Sequence, residues 1–81
     1  MNASIENRRL EWRCRRGMKE LDFLLLRYLR QRHPQAASDE RAAFVEFLEL
    51  PDPDLVRYLI AGDVPNDLRF AGLCRSVLQA N

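Results

Sequence analysis

Arg16 and Glu20 stand four positions apart around Gly17, with Arg15 ahead of them and Met18 and Asp22 close by, and here the residue types and spacing come nearest to chemistry. On one continuous helix the two charges would share a face and could pair, in the less favourable basic-before-acidic order, for only ~0.3 kcal/mol. Gly17 argues against that continuity. It weakens a helix by roughly 1 kcal/mol relative to alanine and admits backbone conformations closed to other residues. The segment therefore reads as a turn on which charge is clustered and backbone is exposed, and its chemistry is that of a docking handle. Acid and base roles for Arg16 and Glu20 are the catalytic alternative, and no pocket is legible to go with them.

Elsewhere the chemistry-bearing residues have plainer readings. His33 has no second histidine to partner it, and beside a helix C-terminus its partly protonated imidazole would suit the helix dipole. Asp52 and Asp54 read as a helix cap and a first-turn charge. Cys14 and Cys74 belong to no CxxC or Cys/His cluster and read as reduced, packed thiols, small apolar side chains in a core. There is no glycine-rich phosphate loop and no His-Glu-x-x-His pattern, so an independent catalyst is not expected.

The elements that would hold the turn are helices. Ser4 is placed to cap a first helix from about Ile5 to Cys14, with Ile5, Arg9 and Trp12 on one stripe and Leu10 and Cys14 on the adjacent one; the shared stripe with Ile5 puts Trp12 in the core. A second helix, about Lys19 to Arg32, carries Leu21, Leu24, Leu25 and Tyr28 on one face. Phe23, Leu26 and Leu29 broaden that face, so this helix should be central, and His33-Pro34 should end it. Ser38 offers a cap to a third helix with Asp39 and Glu40 in its first turn, burying Phe44, Phe47, Leu48 and the neighbouring Val45. Asp52-Pro53 reads as N-cap and first position of a fourth, which buries Leu55, Val56, Leu59 and Ile60 before Gly62 turns the chain. A fifth begins near Pro65 or Asn66, carries Leu68, Ala71, Cys74, Val77 and Leu78, and leaves residues 80 and 81 to fray. With short connections and no period-2 pattern, the fold expected is all-α, a compact single-domain bundle of about five short helices over residues 1–81.

A domain of 81 residues buries only ~60% of the surface its unfolded chain exposes, which leaves little room for a deep private active site and much surface for a partner. Net charge is +1, but residues 1–33 carry +5 and residues 34–81 carry −4. A basic face of this kind suits an acidic protein, a nucleic acid or an anionic membrane, and equally the two halves can attract each other. The longest apolar run, Phe23 to Leu26, is far short of the roughly 20 residues that cross a bilayer, so no transmembrane segment is expected. Glu6 falls where a signal peptide would be apolar, and the expected location is cytoplasmic.

Trp12, Cys14, Arg15, Arg16, Gly17, Met18, Glu20, Leu21 and Asp22 resemble the succinate dehydrogenase assembly factor family, the flavinators, whose hallmark is Arg-Gly-x-x-Glu. The resemblance continues through Asp39-Glu40, Phe44, Leu48-Glu49, Asp52-Pro53-Asp54-Leu55, Tyr58-Leu59, Gly62 and Pro65, in the family's order over most of the chain, and the family's small five-helix fold is similar to the bundle described above. It implies a soluble, chaperone-like assembly factor, not an enzyme. Such a factor binds the flavoprotein subunit of succinate dehydrogenase, with fumarate reductase as a second candidate, and promotes covalent attachment of FAD to a histidine of that subunit. No tightly bound cofactor is implied, because FAD acts on the partner. Arg16, Gly17 and Glu20 match the motif and are the expected partner-binding positions, with Arg15, Met18 and Asp22 adjoining. The turn would approach the partner's backbone while Arg16 and Glu20 form charge-assisted hydrogen bonds that hold the immature flavin site in a reactive arrangement.

Two alternatives come from other classes. Trp12 among Arg8, Arg9, Arg13, Arg15 and Arg16 could form an RNA or DNA surface, but overall charge is nearly neutral and no nucleic-acid motif is present, so no nucleic-acid partner is expected. A regulatory interaction protein of antitoxin type is the other, with no positive signal in the residues. Oligomeric state is not legible.

Overall fold

The chain turns back after every two to four helical turns, and the computed structural model describes it over residues 2–80, with the side chains of residues 2–4 and 6 outside that description. Five α-helices follow in order: α1 (Asn2–Cys14), α2 (Lys19–Gln31), α3 (Ser38–Phe47), α4 (Asp52–Leu59) and α5 (Leu68–Gln79), with a 3₁₀ turn (His33–Gln35) between α2 and α3. Among the described residues there is no strand, and the fold is the expected all-α bundle in one domain.

Helix α2 is central, packed against α1, α4, α5 and the 3₁₀ turn. Its Leu21, Leu25 and Tyr28 are fully buried with Phe44 and Phe47 of α3, Leu55 of α4 and Leu73 and Val77 of α5. The aromatic rings meet tilted or edge-on, Tyr28 and Phe44 with centroids 4.7 Å apart and Phe47 edge-on to Phe70 at 5.4 Å. The Tyr28 hydroxyl donates to Glu40 Oε2 at 2.7 Å, which gives its one polar atom a partner. Both cysteines are buried and free, as expected, and burial pushes the Cys14 thiol up to about 12 and the Cys74 thiol up to about 11.

Helix ends depart from the sequence expectations in instructive ways. Helix α1 starts at Asn2, so Ser4 lies within its first turn and not ahead of it; its side chain is outside the described residues. Ser38 is the first residue of α3 and gives no side-chain cap. Asp52 is likewise inside α4, after Pro51, and its carboxylate is used elsewhere. Helix α5 begins later than Pro65 or Asn66: Asp67 caps it, accepting from the Arg69 amide at 2.9 Å. Gly62 does turn the chain at φ 87°, and the Asp63 amide donates to the Arg57 carbonyl at 2.9 Å.

Several apolar residues read as core are not. Trp12 is 76% exposed and Ile5 exposed with it, because the buried stripe of α1 is the adjacent one, Leu10 and Cys14, facing α2. Phe23, Ile60, Leu68 and Leu78 also face outward. Ala80, expected to fray, is 1% exposed; residue 81 lies outside the described residues. His33 does not sit charged at a helix end. The 3₁₀ turn folds it against Tyr28 and Phe44, it is 8% exposed, and burial, assisted by Arg41, holds its pKa below the ordinary histidine value.

Candidate functional site

Between Cys14 and Lys19 the chain needs a conformation that only glycine adopts without strain. Gly17 has φ +81°, and a Cβ there would meet nothing within 4 Å, so the requirement is the backbone angle and not close packing. Three successive amides then point the same way. Asp22, in the first turns of α2, takes all three: Oδ1 accepts from Arg16 N at 2.8 Å and Met18 N at 3.4 Å, and Oδ2 accepts from Gly17 N at 3.2 Å. A concavity of backbone N–H groups ordinarily attracts an outside anion. Here the chain's own carboxylate fills it and places negative charge at the N-terminus of α2, where the dipole favours it.

Arg16 does not reach outward as the sequence reading expected. Its side chain is only 17% exposed and lies across the junction of α3 and α4. Nε donates to Asp52 Oδ1 at 2.7 Å, Nη1 to the carbonyls of Leu48 at 2.7 Å and Arg13 at 3.1 Å, and Nη2 to the carbonyl of Leu50 at 2.8 Å. Leu48 and Leu50 follow the last turn of α3, whose carbonyls have no helical donor and whose dipole end is negative, so a guanidinium fork suits both needs. Asp52 opens α4, at the opposite dipole sign. One arginine therefore joins the end of α1, the end of α3 and the start of α4.

With Arg16 and Asp22 committed inward, the residues presented to solvent are Arg15, Gly17, Met18, Lys19 and Glu20, all exposed. Among the described residues, Glu20 and Lys19 have no ion-pair partner. The structure thus brings all six sequence-selected residues into one turn and divides them: Arg15, Gly17, Met18 and Glu20 on the surface, Arg16 and Asp22 beneath it. Two features were missed. Asp52 belongs to this assembly, and its Asp-Pro-Asp setting gave a cap reading that hid a pairing across 36 positions. Trp12 was assigned to the core because two stripes compete on α1.

Acid–base chemistry finds little here. His33 is buried away from solvent and both thiols are held protonated. Among the described residues no three His, Cys, Asp or Glu side chains gather as a metal site would require, and no helix is long and apolar enough to cross a membrane. The arrangement can present a shaped, charged turn on a rigid base.

A family described as "Flavinator of succinate dehydrogenase" matches residues 8–81. A protein named "FAD assembly factor SdhE" from Xylella fastidiosa (strain 9a5c) is 45% identical over 73 residues, covering 90% of this chain and 75% of its own. Proteins of the same name from Coxiella burnetii (33% identical over 79 residues, 98% and 96% covered) and Yersinia pseudotuberculosis (32% over 78 residues, 95% and 89%) match almost end to end. No solved structure matches the chain.

Proposed function

Because this chain belongs to the family of flavinators of succinate dehydrogenase, we propose that it is an assembly factor that binds the flavoprotein subunit of succinate dehydrogenase and promotes covalent attachment of FAD to it. Its contribution is positioning, not catalysis. The observation that carries this reading is the division of labour in the turn: Arg16 and Asp22 are consumed in holding it, while the Glu20 carboxylate is exposed on a rigid support. Docking desolvates that carboxylate and requires a donor on the flavoprotein, and Gly17, without a side chain, lets the partner's backbone come close. Contacts of this kind hold the immature flavin site in a reactive geometry, which is where orientation lowers a barrier.

In this reading Arg15, Gly17, Met18 and Glu20 touch the flavoprotein, and Arg16 and Asp22 act through the turn they hold. FAD is handled on the flavoprotein, with none tightly held by this chain. The flavoprotein of fumarate reductase is a second client by the same chemistry, and the work is done in the cytoplasm.

Glu20→Ala tests the proposal. Leaving a buried donor of the partner unpaired costs ~2 to 5 kcal/mol of binding, so flavin fluorescence of the denatured flavoprotein in a gel should fall sharply while the melting of the variant stays near wild type. Undiminished fluorescence would count against the contact.

A further inference from the structure

A groove of about 660 Å³ lies between α1 and α3, lined by Arg9, Leu10, Trp12, Arg13 and Val45. Its floor is apolar, from Leu10 and Val45, and its rim is cationic. Trp12 stands at the edge with most of its surface in water, an unusual placement for a side chain that can bury ~150 to 250 Å². The opposite flank of Trp12 is lined by Arg8, Glu11 and Arg15.

Four arginines, Arg8, Arg9, Arg13 and Arg15, crowd this end of α1. Among the described residues, Arg57 and Arg69 each pair with two carboxylates, and Glu11 leans toward Arg30 at 3.6 Å, whereas Arg8, Arg9, Arg13 and Arg15 form no ion pair. Trp12 links the groove to the turn's leading residue, because its other flank shares a hollow with Arg15. The Arg15 amide donates to the Trp12 carbonyl at 3.1 Å, so Trp12 sits about one helical turn, ~5 Å, from the residues that lead into Gly17.

We propose that this groove is a second docking site for the flavoprotein subunit, which places there an acidic segment carrying one aliphatic or aromatic side chain. The apolar side chain lies on Leu10 and Val45 under Trp12, and carboxylates meet Arg9 and Arg13. This rests on the assembly-factor reading and extends it to specificity: the turn supplies the contact near the flavin, and the groove selects the client by charge. Tryptophan and arginine at a desolvated centre with an apolar floor have the composition of interface hot spots.

Trp12 is the chain's one tryptophan, so full-length protein labelled with 5-fluorotryptophan reports on this groove through a single ¹⁹F resonance. Purified succinate dehydrogenase flavoprotein should shift or broaden it, while phosphatidylglycerol vesicles and a single-stranded oligonucleotide should not. By the usual size of hot-spot losses, Trp12→Ala should weaken flavoprotein binding about 30-fold, with unchanged melting because its side chain is exposed, and Arg13→Glu about 10-fold, with melting slightly lowered by the negative charge it adds to the last turn of α1. A wild-type protein that binds the flavoprotein with an unmoved resonance, and variants that bind as tightly, would overturn the groove proposal and leave the assembly-factor reading standing. Absence of flavoprotein binding by wild type would sink that reading itself. A resonance moved by vesicles or oligonucleotide, and not by flavoprotein, would give the groove to another class of partner and refute the proposal.

Discussion

Replacing Arg16 by alanine deletes four hydrogen bonds, three of which tie the end of α1 to the α3–α4 junction. The Asp52 carboxylate is 42% exposed and regains water, so its pair is worth less than ~1 kcal/mol. The carbonyls of Leu48 and Leu50 are partly buried at a helix end, and a net value of about 1 kcal/mol for each bond brings the loss to about 2 to 3 kcal/mol. In a domain of this size 1 kcal/mol moves Tm by about 4 to 8 °C, so Arg16→Ala should melt ~8 to 24 °C below wild type by circular dichroism at 222 nm. Arg16→Lys keeps the charge but not the fork, and should recover only part of that difference. Glu20→Ala, at an exposed position, should change stability by less than ~0.5 kcal/mol. Both alanine variants should lose flavinylation, one by loosening the platform and the other by removing a contact. Arg16→Ala melting within ~3 °C of wild type would refute the claim that this arginine holds the turn.

Two further outcomes follow from buried groups. The His33 pKa lies below its unfolded value of 6.5, so its contribution to stability is fully present above pH 6.5 and declines as pH falls and the unfolded chain takes up the proton first. Tm should therefore drop between pH 7 and 5, and His33→Phe should flatten that slope; the facing groups are Tyr28, Phe44, Arg41 and Glu40, of which Glu40 opposes the shift. An equal slope in the variant would contradict the assignment. Cys14 and Cys74, at about 12 and about 11, should be inert to Ellman's reagent at pH 8 until guanidinium unfolds the chain, and prompt reaction of either thiol on the native protein would disprove its burial.

What could be read in advance was local. Gly62 and the Asp52-Pro53 pair bracketed α4 to within a residue, because proline and glycine act through their own backbone angles. The breadth of the apolar face on α2 announced its central position, since a helix packed on several sides needs apolar residues around most of its circumference. The turn at Gly17 and its six residues were legible for the same reason. Their division into support and surface was not. Arg16 is paired with acceptors 32 to 36 positions away, and two of these are main-chain carbonyls that exist as acceptors only because α3 ends there. Trp12 failed differently: α1 offers two stripes of similar character, and which one is buried is settled by α2 lying against Leu10 and Cys14, a tertiary fact. His33 was misjudged because the 3₁₀ turn it opens folds it against Tyr28 and Phe44.

The central claim is that a turn held from beneath by Arg16 and Asp22 offers Met18 and Glu20 to the flavoprotein subunit. Met18 is exposed, and the chain has one other methionine, so ¹³C-methyl labelling of methionine gives two signals, one of them at the turn. On addition of unlabelled succinate dehydrogenase flavoprotein the Met18 methyl resonance should shift and lose intensity in step with complex formation, and Glu20→Ala should abolish the change. Complex formation that leaves the Met18 signal where it stands in the free protein would contradict the claim.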